Sequence, residues 1–170
     1  MKYTTTGARA AFDQFCKNLM ASAKTHFGDS LRGILQFGST VEQLKPATDL
    51  DLLVVLSKLP LSRRERYTIW DPLEENLKHE LKQLERSGVH LDLSPILLMP
   101  PDLDRFRSFY LDLPTTSKIW YDPDGVLASL LDRIREYIRE SGAVRKQRGN
   151  LWYWDLAPHL DYRTDRKIGW

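Results

Sequence analysis

The chain has 170 residues, 42% of them hydrophobic and 28% charged, an ordinary globular balance, so one domain over residues 1–170 is expected, with a basic, aromatic tail at 143–170 packed on it. Lys and Arg total 25 against 23 Asp and Glu, a net charge of +2, so the overall charge does not call for a nucleic-acid partner, and no apolar run approaches the roughly 20 residues of a membrane span. The single Cys16 cannot form an internal disulfide and fits a reducing compartment; with no apolar signal-type core in MKYTTTGARAAFDQF, a cytoplasmic protein is expected.

Residues 6–26 read as a helix with Ala11, Phe12, Phe15, Leu19, Ala23 and Phe27 on one stripe and Gly28 just past its end. Leu31–Phe37 is the first strand, ended by Gly38-Ser39; a helical turn over Thr40–Leu44 and a loop through Thr48 lead to a second strand, Asp49–Leu56. Ser62 and Glu65 form a capping-box pattern opening a helical region to Arg86. Pro72 interrupts that region, giving two helices or one kinked helix. The third strand, 89–98, alternates Val89, Leu91, Leu93 and Pro95 against His90, Asp92, Ser94 and Ile96. Asp102–Leu111 reads as a short helix with Leu103, Phe106 and Tyr110 inward, and Ser117–Tyr121 as a short strand. Asp122-Pro123-Asp124-Gly125 turns into an amphipathic helix ending at Ser141-Gly142. This order is that of an α/β (α+β) layer arrangement.

The chemistry concentrates in Gly33–Leu56. Asp49 and Asp51 alternate onto one face at the start of a strongly apolar strand, where two like charges repel unless a cation lies between them. Asp92 is a carboxylate inside a third apolar strand, and pairing beside the second strand would let all three converge. Three carboxylates suit Mg²⁺ (or Mn²⁺), which takes carboxylates together with substrate phosphates. Gly38 lets a backbone approach a phosphate, the following turn aims N–H groups at it, and Ser39 adds a donor. Together they describe a site for a nucleoside triphosphate.

A strand ending in Gly-Ser, then an Asp-x-Asp strand, then a third Asp on a later strand resembles the DNA polymerase β-like nucleotidyltransferase superfamily, and in size its small prokaryotic (minimal nucleotidyltransferase-like) members. The motif match runs from about Leu31 to Leu98, and the ending YDPDG, long helix, RGNLWYWDL also looks like the C-terminal part of such members. The resemblance implies a mixed β-sheet of about four or five strands flanked by helices. It also implies transfer of a nucleoside monophosphate, AMP from ATP, to an acceptor hydroxyl with release of pyrophosphate. By motif, Asp49, Asp51 and Asp92 become the metal-binding and catalytic carboxylates, and Gly38 and Ser39 the nucleotide-binding pair. Many members carry Arg and Gly shortly after the Gly-Ser; here Thr40-Val41-Glu42-Gln43 has neither. That departure keeps open an alternative: a catalytically weak binding module, such as an antitoxin pairing with a helical partner protein. A small-molecule transferase is a third reading, with little chain after Leu98 to build its acceptor site.

Elsewhere the simpler readings are preferred. Arg63-Arg64-Glu65-Arg66 is a solvated helix face, with contact to an acidic acceptor such as tRNA as the sharper reading; Lys78, Lys82 and Arg86 are an exposed helix side. His90 is a surface residue, and Tyr67 and Trp70 are packing residues. Trp152-Tyr153-Trp154 is read as closing over the core, with a stacking platform for a base as its alternative.

Overall fold

The computed structural model describes residues 6–149 and 151–156; the rest of the expected tail, like Asn150, lies outside the described residues. Helix α1 (Thr6–Phe27) leads into β1 (Leu31–Phe37) and β2 (Ala47–Leu56). Helices α2 (Arg63–Asn76) and α3 (Lys78–Arg86) follow, then β3 (His90–Leu98), β4 (Ser117–Tyr121) and α4 (Val126–Ser141). The described chain ends in β5 (Val144–Arg148) and β6 (Leu151–Asp155).

The sheet order is β3-β2-β1-β4, with β1 antiparallel to both neighbours and β2 parallel to β3. This mixed four-stranded sheet flanked by helices is the expected fold class. β2 is central, and its residues from Leu52 to Leu56 are all buried, the near-continuous apolar run of a strand covered on both faces. On one face Leu50, Leu52 and Val54 pack with Phe12, Phe15 and Leu19 of α1 and with Trp70, Leu73 and Leu84 of α2 and α3. On the other, Leu53 and Val55 pack with Leu127, Leu130 and Ile134 of α4 and with Leu103 and Tyr110. Asp49 and Asp51 therefore belong to the α4 face, beyond the end of its apolar cover. α4 approaches β1 closely at Gly33, where a Cβ would lie 2.6 Å from Leu127 Cδ1. Gly33→Ala should cost about 1–3 kcal/mol of stability in urea unfolding by overpacking, because Leu127 is fully buried and has nowhere to move.

Four expectations are corrected. The helical region divides at Leu77, not at Pro72, which α2 accommodates; Leu77 leaves helical geometry at φ −93° and ψ 0°, and its N–H turns to Glu74 O at 3.0 Å. Ser62 caps α2 without a side-chain hydrogen bond, so no capping box forms. Residues 102–111 form no α-helix: two 3-10 turns, Pro100–Asp104 and Ser108–Asp112, flank an extended Arg107. Asp102 caps the first turn by accepting from the Met99 N–H at 3.0 Å, and Phe106 is left exposed.

The tail aromatics do not close over the core. β5 and β6 form a separate two-stranded ribbon on which Leu151, Trp152 and Tyr153 are exposed. Trp154 ties the ribbon down by donating its indole N–H to Asp112 Oδ1 at 3.0 Å. Among the described residues no helix is long and apolar enough to cross a membrane.

Candidate active site

Gly38 ends β1 with φ +77°, a conformation L side chains rarely adopt, and a Cβ on it would lie 2.4 Å from Asp51 Oδ2. The glycine of the Gly-Ser pair thus sits directly against the carboxylate of the Asp-x-Asp motif. The cross-strand register, Phe37 opposite Asp51, makes this approach possible. Ser39 is exposed beside it.

The parallel register of β2 with β3 pairs Asp49 with Asp92 and Asp51 with Ser94. Asp49, Asp51, Asp92 and Ser94 consequently share one face of two adjacent strands. Burial of Asp51 pushes its carboxyl above the ordinary value; the Ser94 hydroxyl opposes that shift by hydrogen bonding, and the Asp49 charge adds to it. Asp49 and Asp92 are exposed. His90, also exposed as expected, stands between two acids, Nδ1 3.4 Å from Glu85 Oε1 and Nε2 3.9 Å from Asp92 Oδ1.

The turn after Gly38 is a single 3-10 turn, Ser39–Val41, rather than the expected helical turn over Thr40–Leu44. The N–H groups of one turn, not a helix dipole, are what the backbone offers an anion there. The turn is held from behind by a relay that the sequence reading missed. Trp120 Nε1 donates to Gln36 Oε1 at 3.2 Å, and Gln36 Nε2 donates to the Thr40 hydroxyl at 3.1 Å. Gln36 and Thr40 are buried, so these bonds satisfy groups that would otherwise be costly. A polar residue within the apolar run of β1 was the available signal.

Among the described residues three clefts stand out, and none of them is lined by the three aspartates. One of about 440 Å³ lies along β3, where Ile96 and Leu98 meet Arg66, Arg105, Arg107 and Phe109. Arg66, expected on a solvated helix face, is a clamp: it donates to Pro60 O, Leu97 O and Asp102. Tyr67 also lines that cleft and is exposed, while Trp70 is buried as expected. A second cleft lies between α1 and β4. The third, of about 320 Å³, lies between the Ser108–Asp112 turn and the β5–β6 ribbon.

The donor chemistry fits a hard divalent cation: carboxylate oxygens are what Mg²⁺ takes, and half-buried Asp51 carries a charge that a cation would offset. Among the described residues, no group of three or more His, Cys, Asp or Glu that could hold a metal ion stands assembled. The fit is therefore carried by Asp49 and Asp51, whereas the Asp92 side chain is 73% exposed.

No family model matches the chain. It is 31% identical over 123 residues to a Methanocaldococcus jannaschii protein named "Putative protein adenylyltransferase", an alignment spanning 71% of this chain and 78% of that relative. Among solved structures it is similar to a complex of an AMPylated Shewanella oneidensis HEPN toxin with its MNT antitoxin (12% identity, 75% of this chain, 87% of that chain, TM-score 0.46). It is also similar to the spectinomycin adenyltransferase AAD(9) of Enterococcus faecialis bound to ATP and spectinomycin (17% identity, 75% of this chain, 66% of that chain, TM-score 0.48).

Proposed function

The chain belongs to the nucleotidyltransferase family that contains this archaeal adenylyltransferase, and from that premise we propose that it transfers AMP from ATP to a hydroxyl of a partner protein, releasing pyrophosphate. The observation that carries the reading is the meeting of Gly38 with Asp51 on the face that also bears Asp49 and Asp92. The acceptor oxygen forms its bond to the α-phosphorus as the bond from that phosphorus to the bridging oxygen of pyrophosphate breaks. Asp49 and Asp51 would hold Mg²⁺, which supplies Lewis-acid stabilisation of charge on the phosphates, with Asp92 beside them as the third carboxylate of the face.

The chain's own groups divide the remaining work by position. Gly38 ends β1, Asp51 lies on β2 and Asp92 on β3, so the groups follow one another across the sheet at about 4.8 Å per strand. The Gly38–Ser39 turn offers N–H and hydroxyl donors to the departing pyrophosphate on the β1 side. In-line displacement then brings the acceptor over β3, where the exposed Asp92 takes its proton. The cleft lined by Arg105 and Arg107 lies along that same strand.

Incubating the protein with ATP, Mg²⁺ and co-purifying or neighbouring-gene proteins should add the mass of one AMP or more to a partner, as read by intact-mass spectrometry. ATP left unchanged, with no protein gaining mass, counts against transfer. A second reading, a weakly catalytic binding module such as an antitoxin, draws on Thr40–Gln43, which carries no basic side chain, and on the single short turn that contains Thr40. Calorimetry separates the two, since the module alone predicts no heat of Mg-ATP binding at millimolar nucleotide.

A further inference from the structure

We propose that the aromatic cleft between the β5–β6 ribbon and the Ser108–Asp112 turn is the binding site for the nucleotide's base. The inference rests on the nucleotide-binding reading above and adds the part of the site that the motif residues leave undescribed. Nothing in Gly38, Ser39 or the three aspartates touches a base; they are all phosphate or cation chemistry. A base needs an aromatic surface, and among the described residues three exposed aromatics, Phe106, Trp152 and Tyr153, line one cleft.

The cleft of about 320 Å³ is lined by Phe106, Phe109, Trp152, Tyr153 and Trp154, with Asp112 at its edge. That volume is at the lower end of pockets that hold small ligands, roughly 300–1,000 Å³. The ribbon is fastened by Trp154 and Arg145, both of which meet Asp112 Oδ1, at 3.0 and 3.3 Å. Trp152 and Tyr153 are not needed for that anchorage and keep 55% and 48% of their surface exposed. Large apolar rings left in water on a fastened ribbon are a stacking surface awaiting a flat partner. The Arg145 guanidinium lies 4.9 Å from the Trp152 ring centre, which holds the ring in place.

Position selects the base over other flat partners. Phe109 stacks on Phe37 with ring centres 5.4 Å apart, and Phe37 lies directly across from Asp51. The contacts Phe109–Phe37–Asp51 put the start of the aromatic cleft one ring contact and one strand spacing from the residue that bears the carboxylate, so a base there can belong to the same ligand as a phosphate at the aspartates. Phe37 is also followed by Gly38-Ser39, so cleft and phosphate turn lie on the same side of the carboxylates.

The test is binding, read without any acceptor. A non-hydrolysable ATP analogue and inorganic tripolyphosphate are titrated, each with Mg²⁺, into wild type, Trp152→Ala, Tyr153→Ala and Trp152→Phe, following heat and tryptophan fluorescence. Wild type should bind the ATP analogue more tightly than tripolyphosphate. Trp152→Ala should weaken the analogue about tenfold, the effect of losing one stacking partner, with tripolyphosphate affinity unchanged and Trp152→Phe restoring most of the loss, whereas Tyr153→Ala, on the other face of the ribbon, should leave it near wild type. Equal affinity of the analogue for wild type and Trp152→Ala, or an equal loss in Tyr153→Ala, overturns the base site while leaving nucleotide binding intact. Failure of wild type to bind either compound overturns the nucleotide reading together with this one.

Discussion

Asp51→Asn should abolish nucleotide transfer and at the same time stabilise the metal-free protein at neutral pH. The two effects have one source. Asp51 is held half-buried on β2, and its carboxyl is pushed above the ordinary value first by burial and then by Asp49. A raised value in the folded state means that the fold binds this proton more tightly than the unfolded chain does. The stability linked to that proton is complete below the unfolded-state value and is lost as pH rises through the folded-state value. At pH 7 the ionised side chain therefore opposes folding. Asn removes the charge, keeps the shape and can still meet the Ser94 hydroxyl. Melting curves of wild type and Asp51→Asn should lie apart at pH 7, with the variant higher, and converge as pH falls below the ordinary carboxylate range. Transfer should fall to background, a loss of at least about a thousandfold, because the carboxylate that would hold the charge-offsetting cation is gone. Mg²⁺ should raise the melting temperature of wild type and not of Asp49→Ala/Asp51→Ala, since only a protein that binds the ion in its folded state gains from it. A variant less stable than wild type at pH 7, or one that retains transfer, would remove Asp51 from the centre of the site.

How far the site could be read from the chain depended on whether each part was local. The period-two alternation that places Asp49 and Asp51 together is a local property of β2, and the apolar run after them marks a central strand. The α1 stripe and the end of α4 at Gly142 were equally readable from spacing and punctuation. The contact between Gly38 and Asp51 was not, because it depends on the register of β1 against β2, which is set over the whole strand pair. Pairing of Asp49 with Asp92 likewise needs β3 to lie parallel beside β2, a crossover through α2 and α3. The segment after Met99 misled for a different reason. Leu103 and Tyr110 keep a spacing compatible with a helix, but Pro100-Pro101 and the Asp102 cap commit the backbone to tight turns. In the ribbon, the aromatic cluster Trp152-Tyr153-Trp154 suggested packing on the core and did not reveal its partner strand. Trp154 packs toward Asp112, while Trp152 and Tyr153 remain exposed, and no local pattern distinguishes those two outcomes.

Gly38→Ala should be the most disruptive single-methyl change in the site, and a double-substitution cycle can say why. Alanine meets two separate obstacles. The backbone at φ +77° disfavours any Cβ, an effect of about 1–2 kcal/mol for a left-handed-side conformation. The Cβ would also lie 2.4 Å from Asp51 Oδ2, so the carboxylate must turn away or β1 must shift. Turning Asp51 displaces it from Ser94 and Asp49, and transfer should be lost even where the protein remains folded. In the Asp51→Ala background the clashing oxygen is gone and only the backbone strain remains. The stability cost of Gly38→Ala should therefore be clearly smaller in Asp51→Ala than in wild type, a coupling of the kind expected for residues in contact. Urea unfolding of the four proteins measures it. An unchanged cost in both backgrounds would assign the whole effect to the backbone. The Gly-Ser pair would then be a turn device near the carboxylate and not a part shaped around it. A reduced cost means that the glycine was fitted to Asp51 itself, tying the phosphate turn on β1 to the carboxylate on β2 as one unit.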